Sequence, residues 1–330
     1  MYFQKFIFEP SALKTEYGRA IFNSLSSKGL NPQIGKIKAR TECGYEQFRE
    51  GKRTLIIGSR NLSRFETCKP SANYQLPILT GCPGMCEYCY LITRMGEKPY
   101  VKININIDNI LTIIQNYINN NPNSITSFEL SASSDPLPFE EPTGIVSKMI
   151  ENFADMPNGK LRICTKFEPE TSILNARHNG HTDFRFSLNT ENAIKEFEHA
   201  TPSLERRIIA AQKTIDAGYN VGIMLAPVFL NDSWQNDYKL LLDKIKDKLG
   251  DNIRTFEVVT HRYTSRAKGV ITNIFPETKL DMEDSKRKFK MGQFGYGKYV
   301  YEKDKINEAR EFFKSEIERR FKSAELLYVV

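Results

Sequence analysis

Leu161-Arg162-Ile163-Cys164-Thr165-Lys166-Phe167 alternates apolar and polar residues with a period of two. As a β-strand it sets Leu161, Ile163, Thr165 and Phe167 on one face and Arg162, Cys164 and Lys166 on the other. The stretch from Asp183 to Asn189 repeats the pattern, with Phe184, Phe186 and Leu188 opposing Asp183, Arg185, Ser187 and Asn189. Working outward, strands are read at 74–80, 126–131, 160–167, 183–189, 220–227 and 254–262. Helices are read between them at 107–119, 143–153, 204–217 and 233–248, with Asp232 or Ser233 capping the last and Gly218 ending the one before it. Strands alternating with helices predict an α/β fold of parallel strands joined by crossovers, and six strands suggest an incomplete barrel. A barrel strand covered outside by helices turns its apolar face outward, so the polar faces at 162–166 and 183–189 point to an open cavity for a polar ligand; a half-exposed sheet edge is the alternative.

The composition agrees with a folded enzyme-sized protein. The chain has 330 residues, 40% of them hydrophobic and 26% charged, with 21 Phe and 15 Tyr, which excludes a wholly disordered or fibrous chain. The longest apolar run, 221–230, contains Pro227 and is about half of a membrane span. The N-terminus MYFQKFIFEP lacks a secretory core, so no membrane partner and a cytoplasmic location are expected. The net charge of +7 permits polyanion binding without requiring it.

Three of the six cysteines cluster as Cys82-Pro83-Gly84-Met85-Cys86-Glu87-Tyr88-Cys89. In a reducing compartment such a group binds metal or does chemistry more often than it forms disulfides. Three thiolates on one loop can hold three irons of a four-iron cluster and leave the fourth iron open. A structural zinc site completed by His178 or His181 is the alternative, although no second CxxC is present. A second charged feature is the segment 285–303, with Lys286, Arg287, Lys288, Lys290, Lys298 and Lys303 against Glu302 alone. Its Gly295-Tyr296-Gly297 step reads as a hairpin turn, which makes a basic, aromatic nucleic-acid surface or a solvated loop. Basic residues also occur at Lys36, Lys38, Arg40, Lys52 and Arg53 in an N-terminal layer. A helix at 305–321 and a strand at 325–329 close the chain.

The CxxxCxxC spacing with Tyr88 before the last cysteine resembles the radical S-adenosylmethionine family. That resemblance implies a 4Fe-4S cluster on Cys82, Cys86 and Cys89 and S-adenosyl-L-methionine as the second cofactor. The groups that bind the latter belong at the C-terminal ends of strands, where Ser134, Asp135, Lys166, Ser187 and Ala226 fall. More narrowly, GCPGMCEYCYLITRMGEKPYV, FELSASSD, RICTKF, ARHNGHTDFRFSLN, MLAPVF and GQFGYGKYVYEKD stand in the order found in the spore photoproduct lyase family. This likeness runs from FIFEPSAL to the basic hairpin.

The resemblance implies a partial (β/α)6 TIM-like barrel at 74–265, an N-terminal region 1–73 packed on it, and a C-terminal extension 266–330 that carries the DNA-binding hairpin. It also implies the reaction. A 5′-deoxyadenosyl radical takes hydrogen from C6 of 5-thyminyl-5,6-dihydrothymine in ultraviolet-damaged double-stranded DNA, and two thymines result. A flavodoxin or ferredoxin would supply electrons, and the spore core would be the compartment in a spore former. Tyr88 matches a cofactor-contacting position, Tyr88 and Tyr90 match the hydrogen-relaying tyrosines, and Tyr296, Lys298 and Tyr299 match the DNA-facing hairpin. The chain departs from the family at Ala132, which stands where the hydrogen-donating cysteine is expected. Cys164 shares a strand face with Lys166 and is the candidate replacement donor; Cys43 and Cys68 have no periodicity that places them near the cavity. Two other readings stay open: a radical enzyme with another substrate or radical outcome, and a metal-stabilised nucleic-acid-binding protein without turnover.

Overall fold

Five of the six core strands stand close to their expected spans in the computed structural model of the chain, Thr126–Glu129, Gly159–Thr165, Thr182–Leu188, Asn220–Val228 and Ile253–Thr260, whereas the expected strand 74–80 is two short strands, Ala72–Gln75 and Leu79–Thr80, that lie in different sheets. The structure describes residues 1–36, 44–95, 100–292, 295 and 297–330; Lys38, Arg40, Cys43 and Tyr296 lie outside the described residues. The chain divides into two compact units, residues 1–84 with 95–183 and residues 85–94 with 184–330.

In the first unit, Glu66–Cys68, Ala72–Gln75, Thr126–Glu129 and Gly159–Thr165 lie side by side in that order. The first pair is antiparallel and the others are parallel. Helix Ile107–Asn119 matches its expected span because Ile107, Ile110, Ile113, Ile114 and Ile118 make one buried stripe. Helix Ile145–Phe153 buries Ile145, Val146, Met149, Ile150 and Phe153 in the same way. The alternation at 161–167 is reproduced in burial: Leu161, Ile163, Thr165 and Phe167 are buried, and Arg162, Cys164 and Lys166 are half-exposed. A second sheet has the order Gln33–Ile34, Lys5–Phe8, Thr54–Gly58, Val101–Asn104, Leu79–Thr80. The N-terminal segment also packs on this unit through Tyr2 against Phe167 and Phe3 against Phe139, with ring centroids 4.8 and 5.4 Å apart.

Strand Thr182–Leu188 passes from the first unit into the second. There it is followed in the sheet by Asn220–Val228, Ile253–Thr260 and Glu325–Val329, the last three mutually parallel. Its polar face differs from the expectation of an open cavity. Arg185, Ser187 and Asn189 are all buried: Arg185 forms an ion pair of 2.9 Å with the equally buried Glu257, and Asn189 donates to the Pro227 carbonyl and accepts from the Tyr238 hydroxyl, each at 2.8 Å. Tyr328 donates its hydroxyl to the same carboxylate, so the two charges fill the space that an open cavity would need. Ser203 and Thr264 cap helices Leu204–Asp216 and Ser265–Ile274, accepting from the amides of Arg206 and Ala267. The two strands of the expected hairpin are present, with Lys288–Met291 antiparallel to Gly297–Val300, and Gly295 between them has φ +78°. No helix among the described residues is long and apolar enough to cross a membrane.

Candidate active site

In the first unit, the loop Ser131-Ala132-Ser133-Ser134-Asp135 follows strand Thr126–Glu129 and is fastened to the chain that leads into Cys82. Ser131 and Ser133 donate their hydroxyls to the Leu79 carbonyl at 2.9 and 3.2 Å. Ser134 donates to the Gly81 carbonyl, and the Gly81 amide donates to Ser133 at 2.8 Å. The Gly84 amide points at Cys82 Sγ, 3.3 Å away. Asp135 gathers the end of the neighbouring strand. Its Oδ1 accepts from Thr165 Oγ1 at 2.7 Å and from the Leu137 amide at 3.3 Å, and its Oδ2 accepts from the Lys166 amide at 2.6 Å. Burial pushes this carboxyl up to about 6, against the lowering effect of those hydrogen bonds.

Ala132 is half-exposed in this loop, and Cys164 and Lys166 are half-exposed on the adjoining strand. Cys68, for which the sequence offers no period, ends strand Glu66–Cys68 and is also half-exposed. The chain after it turns back onto the polar face. Ser71 donates to Glu129 Oε2 at 3.0 Å, and the Arg162 guanidinium donates to the Ser71 carbonyl. Glu129 and Arg162 are register partners, so the turn that follows Cys68 is bonded to the polar face that also carries Cys164 and Lys166. His178 and His181 sit at the opposite end of strand Gly159–Thr165, where His181 Nδ1 lies 2.9 Å from the Gly159 carbonyl. A strand of that length spans about 20 Å, so neither histidine is placed to complete a zinc site with Cys82.

In the second unit the remaining motif residues pair with strand Glu198–His199, in the register Glu198↔Cys86 and His199↔Met85. The Glu87 amide donates to the Phe197 carbonyl at 2.9 Å. The Glu87 carboxylate is held by His199 Nε2 at 2.7 Å and by the Thr278 hydroxyl. Cys86 is buried and Cys89 half-exposed, with the Cys89 amide donating to the Cys86 carbonyl at 3.2 Å. Tyr88 donates its hydroxyl to Glu198 Oε1 at 2.6 Å, and Glu198 Oε2 lies 2.6 Å from the Arg207 guanidinium. Burial of the phenol, reinforced by the charges of Cys86 and Glu198, holds the Tyr88 hydroxyl well above its ordinary value. Tyr90 is different in kind, with 55% of its surface exposed.

Arg207 is the centre of this cluster in the second unit. It is fully buried and donates to the Pro202 carbonyl at 2.8 Å, the Ser187 carbonyl at 3.1 Å and Thr201 Oγ1 at 2.8 Å. Ser187 in turn donates to the Ala226 carbonyl at 3.4 Å. Neither Glu198 nor Arg207 was read from the sequence. A signal for Arg207 was there, since it falls with Leu204, Ile208 and Ala211 on the apolar stripe of its helix, where a charge needs a buried partner.

At the hairpin, Lys298 and Tyr299 are half-exposed, and Tyr299 stacks on Tyr263 with centroids 5.3 Å apart. Arg287, counted in the sequence among the hairpin cations, is instead buried. It donates to the carbonyls of His261 and Asp281 and lies 3.6 Å from the Tyr301 ring centre.

Among the described residues no three His, Cys, Asp or Glu side chains are gathered to hold one metal ion. A four-iron cluster makes a different demand, one cysteine per iron, and a set of three cysteines within eight residues has the donor chemistry for it.

Comparison with known proteins gives the family. The family model described as spore photoproduct lyase matches residues 2–330. The spore photoproduct lyase of Clostridium acetobutylicum is 46% identical over 99% of both chains, and that of Bacillus subtilis 38% identical over 97% of this chain and 96% of its own. Among solved structures, a double-mutant spore photoproduct lyase with bound AdoMet and dinucleoside spore photoproduct has a TM-score of 0.95 at 36% identity, covering 99% of both chains. A spore photoproduct lyase complexed with the dinucleoside spore photoproduct has a TM-score of 0.94, also at 36% identity, covering 99% of this chain and 98% of its own. The curled, incomplete α/β barrel read from the strand alternation is therefore the fold of these proteins, and the chain belongs to the spore photoproduct lyase family.

Proposed function

We propose that the chain is a DNA-repair enzyme that returns the spore photoproduct, 5-thyminyl-5,6-dihydrothymine, to two thymines. The observation that carries this reading is the full-length likeness to a lyase solved with both AdoMet and the dinucleoside lesion. Cys82, Cys86 and Cys89 would hold a 4Fe-4S cluster, and Tyr88, Ser134, Asp135, Lys166, Ser187 and Ala226 would contact S-adenosyl-L-methionine. When bound, this pair supplies the 5′-deoxyadenosyl radical that takes hydrogen from C6 of the lesion. The chain's own residues orient and finish the reaction. Asp135 fixes the ends of two strands, Arg207 and Glu198 hold the Ser187 carbonyl and the Tyr88 hydroxyl, and Tyr88 and Tyr90 relay hydrogen. Lys298 and Tyr299, with Tyr296, face DNA. The damaged duplex is the macromolecular partner, a flavodoxin or ferredoxin is the reductant, and the cytoplasm or spore core is the location.

Ala132 cannot return a hydrogen atom to the product radical, so another thiol must. Cys164 is supported by its place on the Lys166 face. Cys68 is a second reading with its own support. In the double-mutant relative an alanine replaces one cysteine and a cysteine replaces a serine sixty-four positions earlier, and Cys68 lies sixty-four positions before Ala132.

The test uses anaerobically reconstituted, reduced enzyme with the dinucleoside lesion, S-adenosylmethionine and dithionite. Wild type should form thymine cleanly. Whichever of Cys68→Ala and Cys164→Ala diverts product to a sulfinate adduct identifies the donor. Clean thymine from both variants excludes both thiols, and a colourless protein that refuses iron and sulfide overturns the radical reading altogether.

A further inference from the structure

We propose that Arg162 is a positioning residue for hydrogen return: with Glu129 it holds the turn Lys69-Pro70-Ser71 on the inner face of the sheet, and so fixes the place of the Cys68 thiol. The proposal rests on the reading of Cys68 as the hydrogen donor and names what keeps that thiol in range.

Register puts these residues on one face. Glu66 pairs with Gln75, Gln75 with Glu129 and Glu129 with Arg162, so a polar row crosses four neighbouring strands. The opposite face carries Tyr74 and Phe128, also register partners, with Tyr117 of helix Ile107–Asn119 lying 4.1 Å from the Tyr74 ring. Cys68 stands two residues after Glu66 on one strand and therefore takes the side of the polar row. Gln75 Nε2 donates to Glu66 at 2.7 Å and ties this edge strand to the row.

The ladder is irregular at the cysteine itself. Thr67 pairs with Tyr74 but Cys68 with Ala72, which leaves Asn73 as an extra residue in the strand opposite. Bulges of this kind re-aim a side chain and recur beside active sites. Ser127 clasps the extra residue. The Asn73 amide donates to Ser127 Oγ at 3.1 Å, and Asn73 Oδ1 accepts from the Ser127 amide and hydroxyl, each at 2.8 Å. The turn after Cys68 is clasped as well. Ser71 donates its hydroxyl to Glu129 Oε2 at 3.0 Å, and the Arg162 guanidinium donates to the Ser71 carbonyl, a charge-assisted bond roughly twice as strong as a neutral one. Two register partners on separate strands thus reach off the sheet to one turn residue, three positions after the cysteine.

Hydrogen return makes use of such placement. One hydrogen atom moves: the Cys68 S–H bond breaks, a C–H bond forms on the product radical, and the thiyl left behind is refilled by the tyrosine relay. A misplacement of about 1 Å can slow a step of this kind by about 100-fold, while a competing quencher from solution is unaffected.

The experiment gives anaerobic holoenzyme the dinucleoside lesion, S-adenosylmethionine and dithionite, and measures thymine, sulfinate adduct and 5′-deoxyadenosine together. Arg162→Met should raise the ratio of adduct to thymine about tenfold with 5′-deoxyadenosine formation kept, and Arg162→Lys, which still donates to the carbonyl, should restore most of the thymine. Ser71→Ala keeps both charges and should shift the ratio the same way; it decides the matter if Arg162→Met does not fold. In the Cys68→Ala background Arg162→Met should add nothing further, since both changes act through one thiol. Released from its clasp, Cys68 should also be alkylated by iodoacetamide faster in Arg162→Met than in wild type, a rate read by peptide mass spectrometry without turnover. An unchanged product ratio, an unchanged alkylation rate, thymine and adduct that fall in step with 5′-deoxyadenosine, or full additivity with Cys68→Ala would overturn the proposal. Clean thymine from Cys68→Ala is a different failure, that of the donor reading, and the proposal falls with it.

Discussion

Arg207→Met removes a cation that compensates Glu198 while keeping an unbranched side chain in its place. Arg207 has no exposed surface, its guanidinium lies 2.6 Å from the Glu198 carboxylate, and it serves the Pro202 and Ser187 carbonyls as well. Removing one member of a buried pair leaves an uncompensated charge and costs about 3–5 kcal/mol. The abandoned carbonyls contribute about 1 kcal/mol each within that range. Since a domain has about 5–15 kcal/mol in total, the variant should sit near the edge of folding. Pairing the change with Glu198→Gln removes both charges and leaves an amide oxygen for Tyr88. The double variant should therefore be more stable than Arg207→Met alone by about 1 kcal/mol or more. The assay is equilibrium urea unfolding of anaerobic protein followed by far-ultraviolet circular dichroism. A loss below about 1 kcal/mol for Arg207→Met, or a double variant equal to the sum of the singles within about 0.5 kcal/mol, would refute the account of a coupled buried pair.

Other outcomes follow from particular contacts. Because burial raises the Asp135 carboxyl from 3.8 to about 6, the folded state binds its proton more readily than the unfolded state does. Its contribution to stability should be fully present below pH ~4 and fall by about 3 kcal/mol as pH rises through 6, a slope read in urea titrations and lost in Asp135→Asn. Thr264→Ala removes the acceptor for the Ala267 amide, 3.0 Å away, and should cost about 1 kcal/mol in the same assay. Phe184→Ala empties a fully buried site against Tyr219 and should cost about 3–5 kcal/mol.

The barrel strands were legible because burial on one face imposes a period of two, and nothing at 161–167 or 182–188 competes with it. The same period misled at Arg185. Alternation distinguishes faces, but whether a polar face meets solvent or a partner depends on Glu257, seventy-two residues away. The cysteine motif was legible from spacing, since its three cysteines lie within eight residues of one another. The brace formed by Glu198 and Arg207 was not, because its members come from a short strand and a helix that meet only after folding. Arg287 shows the same limit in reverse: its neighbours are lysines, yet packing on Tyr301 and two carbonyls takes it out of the surface charge.

That buried arginine also bears on how such a hairpin can change over generations. It donates to two main-chain oxygens, lies 3.6 Å from the Asp281 carboxylate and stacks on an aromatic ring, so the root of the ribbon is held by residues outside the tip. Tip sequences can drift, lengthen or be exchanged by design while the root keeps the ribbon at a fixed angle. The result is an interchangeable bit in a permanent chuck.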